Sequence, residues 1–189
     1  MADLVTLAEY KSFVGITSTN FDTEVKSLIP MISEYVKTYC DRTFIDYYDD
    51  SKVETFAGGV PYFLLKEFPI NSIDSVEWSQ DYGKTYTTLV EFTDYVIDTE
   101  HDRIAPINKD VFPKYTNGYR VTYTGGYEKL PQDLKLAVLS LVEYYLKNDM
   151  AIKSQRDQGS NTVQVEYVTT TNLPSHIRRI LDMYKGSFI

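Results

Sequence analysis

Residues 119–150 read YRVTYTGGYEKLPQDLKLAVLSLVEYYLKNDM. Within this stretch Val121 and Tyr123 alternate with Arg120, Thr122 and Thr124, the period-two pattern of a half-buried strand. Gly125 and Gly126 then break the pattern, because residues without Cβ reach backbone angles that others avoid. Pro131 occupies a position that the first turn of a helix tolerates, and Asp133 suits the positive end of the helix dipole. From there to Met150 nothing interrupts a helix, which would reach about 30 Å. One apolar stripe runs through Leu134, Val138, Leu141 and Tyr145, a second through Leu136, Leu139, Val142 and Leu146. Only Ser140, Glu143 and Lys147 form a clear polar line. A helix this apolar must be covered on most sides, by its own chain or by a neighbouring copy.

Upstream, the pattern is helical and then β. Thr6 and Glu9 make a capping-box pair, with Leu7, Tyr10 and Val14 on one face before Gly15. A second helix is predicted from near Phe21 to Cys40, with Phe21, Val25, Leu28, Ile29, Ile32, Val36 and Tyr39 at spacings of three and four. Pro30 inside it predicts a kink or a break. From Ile45 to Tyr127 the period shortens. Val53 and Phe56 alternate with polar residues, Tyr62 to Phe68 reads as a strand closed by Pro69, and Asp81-Tyr82-Gly83 marks a hairpin turn. Five to seven short strands are expected, in a compact antiparallel sheet or small barrel.

Downstream, residues 153–161 (KSQRDQGSN) read as a mobile loop. Thr162 to Thr170 reads as an arm or edge strand. A closing helix begins near Pro174, with Ile177, Ile180, Leu181 and Tyr184 on one face and Arg178, Arg179 and Lys185 on the other. The fold class is therefore α+β: a helix bundle from the N- and C-terminal parts with a central antiparallel β-rich insertion. The expected divisions are 1–44, 45–127 and 128–189.

The 189 residues carry 27 acids against 19 bases, a net charge of −8. Such a balance argues against tight nucleic-acid binding, which needs lysine and arginine to displace counterions. Only the last segment, 151–189, is net positive. No apolar run is long enough to span a membrane, and the opening MADLVTLAEYK lacks the pattern of a secretory signal. Cys40, the only cysteine, excludes an internal disulfide and reads as a buried small apolar residue. The 17 tyrosines fit either protein–protein contacts or β-sheet.

Catalytic signatures fail one by one. There is no P-loop, HExxH, GxSxG or CxxC pair. Asp98–Asp102 begins like a calcium loop, but Arg103 stands where glycine is required and Lys109 where glutamate is, so a solvated hairpin turn is expected. Asp46, Asp49 and Asp50 read as a solvated acidic loop. His176 opens the last helix as a surface residue. Gly125-Gly126 lacks the third glycine and the βαβ setting of a phosphate cradle, and reads instead as a hinge between the β-rich part and the bundle. No catalytic residue, cofactor or metal is expected.

TLAEYKSFVGI, the helix ending YVKTYCDRTF, FLLKEFPINSIDSVE, YVIDTEHDRI, the quoted strand–glycine–helix unit and LPSHIRRILDMYK follow one another in an order that resembles the head–tail connector (adaptor) proteins of tailed bacteriophages. The likeness spans nearly the whole chain. Its most specific pieces are Cys40–Phe44 and Tyr123–Leu141. The resemblance implies a virion structural protein in the neck, assembled in the host cytoplasm as a ring of about twelve copies beneath the portal protein. Its other neighbour would be the next neck or tail-completion protein. Double-stranded DNA would pass through the lumen without specific binding, and no membrane is involved. Subunit contacts are expected at Leu136, Leu139, Val142, Leu146, Phe21 and Val25. Portal docking is expected at Tyr167, Ile177, Arg178, Arg179 and Tyr184. Three readings compete: a stopper or tail-completion protein, a carbohydrate-binding β module, and a hydrolase using Glu100 and Asp102.

Overall fold

Strand β7 (Tyr119–Gly125) is the central strand of the larger sheet, and its side chains alternate strictly between buried and half-buried. In the computed structural model, which describes residues 2–107, 109–148, 153–156, 163–166 and 173–186, β7 pairs on both sides. Antiparallel to it lie β1 (Lys52–Phe56) and β3 (Ile70–Trp78), and β3 also carries the two-residue β4 (Thr87–Thr88), giving the order β1-β7-β3-β4. Two register shifts in β3, between Ile70 and Ser72 and between Ile73 and Ser75, add local twist. A second antiparallel sheet has the order β2-β6-β5, from Phe63–Leu64, Arg103–Pro106 and Tyr95–Asp98. The predicted hairpins are present: Trp78 pairs with Thr87, and Asp98 pairs with Arg103 across the turn that carries His101.

The two sheets share one core of Phe63, Leu65, Val76, Tyr95, Ile104, Phe112, Tyr119, Val121 and Tyr123. Phe63 is its hub, with ring centroids 4.1 Å from Phe112, 4.8 Å from Phe56 and 5.1 Å from Tyr119. This β-rich unit comprises residues 41–130 with the extreme chain ends.

The other unit, residues 3–40 and 131–185, is helical. It contains α1 (Leu7–Val14), α2 (Asp22–Cys40), α3 (Gln132–Asn148) and α4 (Ser175–Met183), plus a hairpin of β8 (Lys153–Arg156) and β9 (Val163–Glu166). Helix α2 packs on α1, α3 and α4, and α3 packs on α4. The chain is α+β.

The capping box forms as expected: Thr6 Oγ1 accepts from the Glu9 N–H and the Glu9 carboxylate accepts from the Thr6 N–H, while Gly15 closes α1 at φ 70°. Of the kink or break expected at Pro30, the break does not occur: α2 is one helix of 19 residues. Pro30 and Lys26, whose carbonyl loses its partner, both lie on the exposed side, where water can serve that carbonyl. Of the loop expected over residues 153–161, Lys153–Arg156 is strand paired with β9, and residues 157–161 lie outside the described residues. The strand expected over Tyr62–Phe68 shortens to Phe63–Leu64. Val53 is corrected in direction: it is 58% exposed, and Lys52, Glu54 and Phe56 form the inward face of β1.

Candidate functional site

The strongest polar constellation lies inside the β-rich unit, centred on Glu67, a carboxylate with 0% exposure. Its oxygens accept from the Thr43 N–H at 3.0 and 3.1 Å, from the Phe44 N–H at 3.2 Å and from Lys52 Nζ at 2.9 Å. Lys52 also lies 3.3 Å from the Glu54 carboxylate. Tyr123 donates its hydroxyl to Glu54 Oε1 and accepts from the Glu67 N–H at 3.0 Å. Burial, with the Glu54 charge beside it, pushes the Tyr123 hydroxyl far above its usual range. Burial alone would lower the Lys52 ammonium, but its bonds to Glu67 and Glu54 leave it raised, hence charged.

Next to this group the buried Arg42 guanidinium stands 3.5 Å from the Phe68 ring centroid, with Phe44 and Tyr127 at 4.9 and 5.4 Å, and donates to the Phe68 carbonyl. The Glu67 carboxylate, the Lys52 ammonium and the Tyr123 hydroxyl are bonded to one another's surroundings and enclosed, although the buried Thr43 hydroxyl has no hydrogen-bond partner among the described residues. This is a clamp joining the segment at Thr43 to β1, β7 and the approach to β3, not a cavity awaiting substrate. Sequence reasoning missed it. The available signal was the KVETF alternation, which places Lys52 and Glu54 on the face of Phe56.

The glycine pair is part of the same lock. A Cβ on Gly125 would sit 2.4 Å from the Glu67 carbonyl oxygen, and one on Gly126 (φ +99°) 2.3 Å from that of Phe44. Gly125 N–H donates to Tyr47 O, Gly126 N–H to Pro69 O and Tyr127 N–H to Phe44 O. In place of the expected hinge, the end of β7 makes a tightly bonded crossing with the chain at Phe44, Tyr47, Glu67 and Pro69.

Chemistry is sparse elsewhere. Among the described residues no group of three or more His, Cys, Asp and Glu could hold a metal ion, and no helix is long and apolar enough to cross a membrane. His101 Nδ1 meets the Asp98 carboxylate at 3.0 Å in an exposed turn, where that bond and the Arg103 guanidinium hold the Asp98 carboxyl below its usual range.

The features left over are exposed apolar groups. In the helical unit Phe21 is 53% exposed, Met31 64%, Tyr35 40% and Leu136 48%. Of the expected contact residues, Val25, Leu139 and Val142 are instead buried within the chain, and Leu146 is half-buried. Ile177 is buried with Leu181 on the inner face of α4, whereas Arg178 and Arg179 are exposed. Tyr184 is half-buried and donates its hydroxyl to Asp133 at 2.6 Å. Tyr167 lies outside the described residues.

The profile of the head completion protein family matches residues 3–187. The chain belongs to the head completion protein family. Its resemblance to head–tail connector proteins agrees with that membership. Over 66 residues it is 39% identical to the head completion protein of Escherichia phage T5, a segment that is 34% of this chain and 37% of that relative. The match thus spans little more than a third of that relative's length. The fold is similar to a chain in the neck of the empty gene transfer agent particle computed with C6 symmetry, at TM-score 0.59 and 14% identity over 98% of this chain and 91% of that one. It is likewise similar to a chain in the neck of the native particle computed with C12 symmetry, at TM-score 0.54 and 13% identity over 92% and 94%.

Proposed function

We propose that this head completion family member is a structural head–tail connector of a virion, acting as a ring of copies beneath the portal and extending the channel through which DNA passes. The observation that carries the ring is the uncovered line on α2. Phe21, just before the first turn of α2, and Leu28 and Tyr35 within the helix are seven residues apart, with Met31 between the last two, so they line up along one side. Three of these four are at least 40% exposed. The adjoining side of α2, with Val25, Ile29, Ile32 and Val36, is already buried within the chain. Large exposed apolar side chains in a row mark a surface that meets protein. Similar folds in necks computed with C6 and C12 symmetry support a second copy as what covers it.

The subunit contact therefore uses Phe21, Leu28, Met31 and Tyr35 of one copy, and the exposed Leu136 of α3 is a further candidate. Val25, Leu139 and Val142 hold the helices in place from inside. Arg178 and Arg179 are the exposed cations of α4 offered to the portal. The mechanism is mechanical and electrostatic, not catalytic: head-to-tail contacts close the ring, and an acidic protein does not retain passing phosphates. Cryo-electron microscopy of the neck tests this. A symmetric ring of this chain between portal and the next neck protein is expected; single copies, or a position in the tail, would defeat the proposal.

A further inference from the structure

In the β-rich unit the loop at residues 89–95 holds an aromatic ring out in water. Phe92 is 76% exposed and Val90 57%. Phe92 also takes a left-handed backbone at φ 61°, a conformation a bulky residue adopts only when its surroundings impose it. Four bonds impose it: Phe92 N–H to Tyr95 O at 2.8 Å, Thr93 N–H to Val90 O at 3.2 Å, Asp94 N–H to Val90 O at 2.8 Å, and Val90 N–H to the Asp94 carboxylate at 2.8 Å. An exposed ring held this firmly has already lost the loop entropy that binding would otherwise cost.

The same loop walls a cleft of 410 Å³. Leu89, Thr93 and Asp94 line it from the loop, and Trp78, Ile107 and Phe112 supply much of its apolar surface. Val90 and Phe92 are not among the lining residues, so the exposed knob does not fill the cleft of its own copy. A knob and a hole that do not fill each other within one copy are left for neighbouring copies. They fit a head-to-tail contact that repeats around a ring. Charge agrees with this pairing. Glu91 stands exposed between Val90 and Phe92, and Lys109 is the cleft's only cationic lining residue, while Asp94 is engaged by the Val90 N–H.

We infer that Phe92 and Val90 of one copy seat in this cleft of the next copy, with Glu91 meeting Lys109. The inference rests on the ring reading. The test uses full-length chain carrying Phe92→Cys and Thr88→Cys (Thr88 lines the cleft) in a Cys40→Ala background, loaded onto portal-bearing heads and oxidised. A ladder of disulfide-linked multimers is expected, and neither single-cysteine chain should give more than dimers. Phe92→Ser should lower ring occupancy at least about tenfold with an unchanged melting temperature. Tyr82→Ser, which removes an equally exposed ring, should leave occupancy unchanged. Rings seen by microscopy without crosslinks overturn the inference and spare the ring reading. Intact Phe92→Ser rings that no longer recruit the next neck protein also overturn it, by assigning the knob to that protein. Absence of any ring with the unaltered chain overturns both.

Discussion

Glu67 shows how one residue can organise a unit without doing chemistry. A fully buried carboxylate is costly unless its lone pairs are used and its charge is met. Here two backbone N–H groups and an ammonium do both. Removing it leaves Lys52 with Glu54 as its carboxylate partner and strands two backbone donors. Glu67→Ala should therefore destabilise the chain by about 3–5 kcal/mol in urea unfolding, and Glu67→Gln, which keeps an acceptor for the backbone, by less. Equal losses for the two would show that the charge is immaterial. Phe92 and Tyr82 are the opposite kind of residue. Both adopt positive φ and both remain exposed, each on a loop whose backbone is bonded to a carboxylate. In the Tyr82 turn, bonds from the Thr85 N–H, Ser79 and the Thr85 hydroxyl hold Asp81 far below the usual carboxylate range.

At the level of elements, α1 and α2 differ in how they meet local rules. Helix α1 obeys them: its capping box is complete, and Glu9 additionally takes Lys135 Nζ of α3 at 2.7 Å. The bond to Lys135 is the largest cause that lowers the Glu9 pKa below 4.5; burial opposes it and Thr6 adds to it. A depressed folded pKa gives stability that is present above the unfolded value and lost as pH falls through the folded one. Melting temperature should thus decline as pH drops below about 4.5, and Glu9→Gln should lower it at neutral pH while flattening that decline. An unaltered acid profile in Glu9→Gln would rule out this source. Helix α2 instead breaks a rule, at Pro30, and survives because the proline lies on its exposed side while the packed face is buried on both sides of that position in the chain. Pro30→Ala restores one backbone bond and should raise stability by about 1–2 kcal/mol, read as an increase in melting temperature.

For the whole molecule, covering within the chain and covering by neighbours are separable. Leu141 and Val142 have 0% exposure, so Leu141→Ala should cost about 2–5 kcal/mol. Met31→Glu on the open side of α2 should change folding by no more than about 0.5 kcal/mol, yet abolish ring formation on portal-bearing heads. Normal rings with Met31→Glu would remove α2 from the subunit contact. Periodicity made much of the architecture legible. The helices, the β7 alternation and the hairpins at Asp81 and His101 follow from spacing, caps and turn residues, which act over a few positions. Two other things were not legible. The inward turn of Lys52 and Glu54 depends on Glu67 and Tyr123, distant in sequence. The choice between two equally apolar stripes on α3 depends on which helix packs there.

Local sequence thus determined the elements, the absence of familiar catalytic motifs and, through the order of its segments, the family resemblance. Tertiary structure decided that the stripe through Leu139 and Val142 is internal, that Phe21, Met31, Tyr35 and Leu136 are outward, and that Gly125-Gly126 is a crossing too tight for any side chain. The reason is physical: helix and strand periods are set by bonds between near neighbours, whereas burial is set by whichever distant residues the folded chain brings into contact.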